Sequence, residues 1–94
     1  MIISYGNKLT ERFAKGEYLR AFHAIADQAY RRLEILDAAQ SLNDLRAIPS
    51  NRLESLIGDR DGQYSIRINA KWRICFRWPQ DATGPHDVEI VDYH

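Results

Sequence analysis

Arg67, Lys71, Arg73 and Arg77 fall within residues 62–78, a stretch that holds four cations and no acid. A guanidinium is a permanent, planar charge whose N–H donors match the oxygens of a phosphate or carboxylate. The chain closes on Asp92, Tyr93 and His94. Histidine, with an unperturbed pKa of about 6.5, serves as either proton donor or acceptor near neutrality. Transesterification of RNA asks for a base at the 2′-hydroxyl, an acid at the leaving 5′-oxygen and positive charge on the phosphorane. These residue types supply all three without a metal, and no cofactor is expected. Position alone favours an inert, frayed end for His94, and scattered charges on a sheet are ordinarily solvated. The weight of the idea depends on whether the arginines are held rigidly together.

The segment Gln63–Trp78 decides that. Tyr64, Ile66 and Ile68 alternate with polar residues, and so do Trp72, Ile74, Phe76 and Trp78. Side chains alternate across a strand, so each run has one apolar and one polar face. Asn69-Ala-Lys71 reads as the turn between them. A two-residue loop would set Ile66 against Arg73. A three-residue loop pairs Ile68 with Trp72, Ile66 with Ile74 and Tyr64 with Phe76, and puts both apolar rows on one side. The other side then carries Arg67 beside Arg73, Ser65 beside Cys75 and Gln63 beside Arg77. Like charges directly opposite cost a few tenths to about 1 kcal/mol. Two facing arginines on a rigid sheet therefore point to an anion site on an open, arginine-bearing face.

The remaining elements must support this hairpin. Ile2, Ile3 and Tyr5 suggest a short first strand. Asn7 is a candidate N-cap for a helix over roughly 8–15, with Leu9 and Phe13 toward the core. A longer helix is predicted over roughly 19–40, because Phe22, Ile25, Ala29, Leu33 and Leu36 form one stripe. His23 near its start reads as a surface residue. Ser41 opens one further helical turn, and Pro49 closes it. Residues 52–57 read as a strand, 58–62 as a turn, 79–85 as a loop and 86–94 as the last strand. Helices come early and strands late, so the class is α+β: a small antiparallel sheet with two N-terminal helices packed on one face. Trp72, Trp78, Phe76 and Tyr64 are expected to dominate the core.

With 94 residues the chain is expected to form one domain. Thirteen cations balance thirteen acids, so net charge does not announce a nucleic-acid binder; the distribution is the informative part. A single cysteine, Cys75, excludes an internal disulfide, and no Cys/His ligand spacing occurs. No apolar run reaches membrane length and no signal peptide is evident, so no membrane association and a cytoplasmic location are expected.

The segments Leu36-Asp-Ala-Ala39, Asn51-Arg-Leu-Glu-Ser-Leu56, Gly58-Asp-Arg60, Gly62-Gln-Tyr-Ser-Ile-Arg-Ile-Asn69, Trp72-Arg-Ile-Cys-Phe76 and Val88-Glu-Ile-Val-Asp-Tyr-His94 carry a resemblance. In them the chain resembles, over nearly its whole length, the HigB-type toxins of bacterial toxin–antitoxin pairs within the RelE/ParE superfamily. The resemblance implies a RelE-like fold and a metal-independent endoribonuclease that cleaves mRNA on translating ribosomes. It also implies silencing by a helix-turn-helix, HigA-type antitoxin, with operator DNA bound only through the antitoxin complex. Arg73 matches the family's phosphate-binding arginine, and Asp92, Tyr93 and His94 match its terminal catalytic cluster. Arg60, Arg67, Lys71 and Arg77 are the further candidate RNA contacts. Glu54 stands where some relatives carry histidine, and Ile57 stands where the pattern has lysine. The missing lysine implies a weakened nuclease, with Arg67 or Arg60 as the candidate compensating cations. Two other readings stay open: a homologue acting mainly as antitoxin partner and operon co-repressor, and a non-nuclease toxin aimed at a protein such as DNA gyrase.

Overall fold

A computed structural model of the protein describes residues 1–92; Tyr93 and His94, the end of the predicted last strand, lie outside the described residues. The element order is α1 (Lys8–Ala14), α2 (Ala26–Ala38), α3 (Leu42–Arg46), β1 (Glu54–Ser55), β2 (Tyr64–Arg67), β3 (Trp72–Arg77) and β4 (His86–Asp92). Short 3-10 turns occupy Arg20–Ile25, Pro49–Asn51 and Gly58–Arg60. The strands form an antiparallel meander in the order β1-β2-β3-β4.

The central hairpin has the register set by the alternation. Tyr64 pairs with Phe76, Ser65 with Cys75, Ile66 with Ile74 and Arg67 with Arg73. Asn69 makes the turn, its Oδ1 accepting from the backbone N–H groups of Lys71 and Trp72, both at 2.8 Å. Such an Asx bond replaces the ladder where the chain reverses.

Two helical caps follow the sequence directly. The Asn7 side chain accepts from Thr10 N at the start of α1, and Ser41 accepts from Asp44 N at the start of α3. The predicted long helix is instead divided. Its apolar stripe is intact, with Phe22, Ile25, Ala29, Leu33 and Leu36 all buried. Residues 20–25, however, wind as a 3-10 turn before α2 begins. No side-chain cap closes either start, so periodicity alone could not mark the break. On α1, Phe13 is buried but Leu9 is not; Thr10 takes the inner position. Its hydroxyl accepts from Ile90 N at 2.9 Å, giving a partner to an outward N–H of the edge strand β4. The N-terminal residues run parallel to that edge, with a single bridge from Tyr5 to Val88 in place of a full strand.

The core lies between the helices and the hairpin. Phe76, Leu36, Leu45, Ile66, Ile74 and Val88 are its largest fully buried apolar side chains. Trp72, Trp78 and Tyr64 pack against it while half-exposed. The tryptophans therefore flank the core and do not dominate it, because Trp72 opens β3 and Trp78 follows directly after its last residue. The strand expected over 52–57 shrinks to Glu54–Ser55. Before it, Arg52 adopts a left-handed conformation (φ 46°) that no strand residue can hold. Among the described residues no helix is long and apolar enough to cross a membrane.

Candidate active site

The sheet's second face carries the arginines, but it is not open, and this corrects the expectation from sequence. Arg73 is 8% exposed, and Ser65 and Cys75 are fully buried. Alternation fixed which residues share the face but not what lies over it. The chain between Arg52 and Gln63 supplies part of the cover. Leu56 is buried there outside the main core cluster, and Arg60 reaches the Glu89 carboxylate at 3.0 Å.

Arg73 is held at its guanidinium by neutral and charged oxygens. Its Nε donates to Ser65 Oγ at 2.7 Å, and its Nη2 donates to the carbonyl of Arg52 at 2.7 Å. Glu54 Oε1 lies 3.8 Å from Nη2, on a side chain that is 53% exposed. These contacts draw the guanidinium out of its own register row, which it shares with Arg67 and Val91, into the row Glu54–Ser65–Cys75–Glu89. That displacement relieves the repulsion between the paired arginines. Arg67 has no ion-pair partner among the described residues and is half-exposed.

The other candidate cations are dispersed. Arg60 donates to Gln63 and Glu89, each at 3.0 Å. Arg77 lies 3.6 Å from Asp87, both well exposed. Asp87 is the extra residue of a β-bulge, at φ 52°. Lys71 pairs with Asp92 at 3.5 Å. Asp92 stands opposite Trp72, and Trp72 packs edge-on against Phe22, so Asp92 belongs to the helix-facing row and not to the Arg73 row. Tyr93 and His94 lie outside the described residues. The structure thus gathers Ser65, Glu54 and the Arg52 carbonyl at the Arg73 guanidinium, with Arg67 opposite Arg73 in the backbone register. It places Arg60, Arg77, and the Lys71–Asp92 pair in separate ion pairs.

Sequence reading missed Ser65 and the Arg52 carbonyl as Arg73 ligands. A signal for Ser65 was present: it shares Arg73's face two register rows away. None existed for the carbonyl, which depends on the turn at Arg52. Glu54 was noted only as a substitution; β1 pairs it with Ser65 and sets it beside Arg73. Cys75 lies between these groups. Burial pushes its thiol pKa up, Arg60 pulls it down, Glu89 raises it and Arg73 lowers it; burial is the largest effect. Ile57 is 86% exposed, so the position where the pattern has lysine faces solvent.

Comparison with known proteins gives these residues a context. Residues 4–94 match the family described as the RelE-like toxin of the type II toxin-antitoxin system HigB. The chain is 39% identical over 80 residues to "Toxin HigB-1" of Vibrio cholerae, covering 83% of this chain and 84% of the relative. It is 34% identical over 95 residues to "Endoribonuclease HigB" of Proteus vulgaris, covering all of both. A YoeB/ParE toxin from Agrobacterium tumefaciens shares the fold, with a TM-score of 0.50 at 16% identity over 99% of this chain and 97% of that one. The chain belongs to the HigB family of RelE-like toxins of type II toxin–antitoxin systems.

Proposed function

We propose that this toxin is an endoribonuclease that cleaves mRNA by metal-independent transesterification at Arg73. The observation that carries the reading is the Arg73 guanidinium, tethered by Ser65 and the Arg52 carbonyl with an exposed carboxylate, Glu54, at 3.8 Å. Tethering matters because a preorganised charge stabilises a developing phosphorane without reorganising during the reaction. Arg73 binds the non-bridging oxygens of the scissile phosphate, approached from the exposed Glu54 side. Glu54 accepts the 2′-hydroxyl proton as that oxygen attacks phosphorus. The bond to the 5′-oxygen breaks, and His94 donates the proton that the leaving oxygen takes up. The products are a 2′,3′-cyclic phosphate and a 5′-hydroxyl. Arg67 is a second phosphate contact, and Tyr93 stacks on a neighbouring base or orients the phosphate. The dispersed cations Arg60, Lys71 and Arg77 act in RNA docking away from the reacting atoms, with Asp92 orienting Lys71, to which it is paired at 3.5 Å.

The relative named an endoribonuclease supports this activity. Family membership supports an antitoxin partner; we take it to be a helix-turn-helix protein of the HigA type, with operator DNA contacted through the complex. The ribosome presents the mRNA, which places the toxin in the cytoplasm. The test is purified toxin with an mRNA, free or on programmed ribosomes. Cleavage with 5′-hydroxyl ends on ribosomes is expected, falling by about 10²-fold or more when His94 is deleted. Intact RNA in both settings overturns the proposal.

A further inference from the structure

The carbonyl that holds Arg73 belongs to a residue in an unusual conformation. Arg52 sits at φ 46°, ψ 53°, a left-handed region that glycine and asparagine enter easily and arginine does not. Its N–H donates to Pro49 O at 3.1 Å, and Asn51 N donates to Ile48 O at 3.0 Å. Those backbone bonds close the 3-10 turn Pro49–Asn51 but do not aim the next carbonyl. Side-chain bonds from Asn51 do more. Asn51 is fully buried, its Nδ2 donates to Leu45 O at 2.9 Å, and its Oδ1 accepts from Arg32 Nη1 at 2.7 Å. Arg32 also reaches Ser50 Oγ at 3.3 Å. A buried amide with both ends bonded fixes its residue in one orientation. The turn is therefore pinned to α3 through Leu45 and to α2 through Arg32. The continuous path is Arg32 side chain, Asn51 side chain, Arg52 carbonyl, Arg73 guanidinium.

We propose that Arg32 and Asn51 are positioning residues for the cleavage reaction, acting on Arg73 through the Arg52 carbonyl. This rests on the reading of Arg73 as the phosphate-binding residue. Arg32 extends from the helix layer and acts through the turn. Its loss is felt as a mis-aimed guanidinium, which lowers the rate of the chemical step more than the affinity for RNA.

The test uses the full-length toxin carrying Arg32→Ala, Arg32→Lys, Arg73→Lys or Arg73→Lys with Arg32→Ala. Single-turnover cleavage on programmed ribosomes is measured across toxin concentrations. Arg32→Ala is expected to lower the maximal rate by roughly tenfold or more with the half-saturating concentration nearly unchanged. Arg32→Lys, which still donates to Asn51 Oδ1, is expected to recover most of the loss. In the Arg73→Lys background the Arg32→Ala effect is expected to shrink, since residues acting through one another are not additive. A parental rate in Arg32→Ala overturns the proposal, and so does an undiminished effect in the Arg73→Lys background. If Arg32→Ala fails to fold, Arg32→Gln takes its place and the same outcomes apply. A readout independent of cleavage is the NMR signal of the Arg73 Nε–H group. It is expected to shift and lose exchange protection in Arg32→Ala; an unchanged signal refutes the relay. If the parent leaves RNA intact, the nuclease reading falls, and the NMR signal alone decides whether the relay orders Arg73.

Discussion

Ser65→Ala removes one oxygen from a place that water does not reach. Ser65 is fully buried, and its hydroxyl accepts from the Arg73 Nε–H at 2.7 Å. Hydrogen bonds to charged groups contribute about 1.5–3 kcal/mol net, and leaving a buried donor unpaired costs a similar amount. The second tether to the Arg52 carbonyl persists, and the void left by a single oxygen is small. A loss of about 2 kcal/mol is therefore expected. For a chain of this size 1 kcal/mol moves Tm by about 4–8 °C, so a fall of about 8–16 °C follows. The guanidinium could instead swing to a new partner, in which case stability is largely kept and cleavage is lost. Thermal unfolding by circular dichroism and cleavage on programmed ribosomes are measured on the same purified variant, with Ser65→Cys as a near-isosteric, weaker acceptor expected to fall between parent and alanine. A Tm within about 2 °C of the parent together with a parental cleavage rate would refute the reasoning, because it would mean that the Ser65 bond neither supports the fold nor aims Arg73.

Glu54→Gln keeps the size and loses the base. Cleavage is expected to fall by about 10²-fold, with only a modest fall in Tm, because Glu54 is itself 53% exposed and the buried Arg73 keeps its bonds to Ser65 and the Arg52 carbonyl; equal cleavage rates remove Glu54 from the mechanism. Ile57→Lys carries no burial penalty, since Ile57 is 86% exposed, and stability is expected to hold within about 0.5 kcal/mol. Its cleavage rate should rise if the missing lysine limits this toxin; a stable variant with unchanged cleavage ends that idea. Cys75 is fully buried, and that burial also raises its thiol pKa, so the native protein should resist iodoacetamide at neutral pH and react only once unfolded. Labelling of the folded protein at the rate of a free thiol would contradict the packing described over that face.

The hairpin was legible because period-two alternation and loop parity together leave one register. The caps at Asn7 and Ser41 were legible because they are local hydrogen bonds. What escaped were features set by distant chain. Nothing in Phe22 to Ile25 signals a 3-10 turn, since the apolar spacing suits either winding over so few residues. Leu9 looked inward, yet Thr10 takes the inner position, where β4 supplies a backbone N–H that needs an acceptor. The burial of Arg73 follows from chain that folds back over the sheet after a left-handed Arg52. It also changes the reading of the site: Arg73→Ala would empty a packed, hydrogen-bonded position and confound loss of function with loss of stability. Arg73→Lys, which keeps the stem and charge but not the planar fork, is the cleaner substitution.

Mapping mRNA 5′ ends in cells after induction tests the nuclease most directly, comparing the parent with Arg73→Lys at matched protein levels. New 5′-hydroxyl ends within translated coding sequence are expected for the parent as growth stops, with ends reduced by about 10²-fold or more and growth restored for Arg73→Lys. Growth arrest by the parent with mRNA left intact, or an Arg73→Lys variant that cuts at the parental rate, would contradict an endoribonuclease built on Arg73.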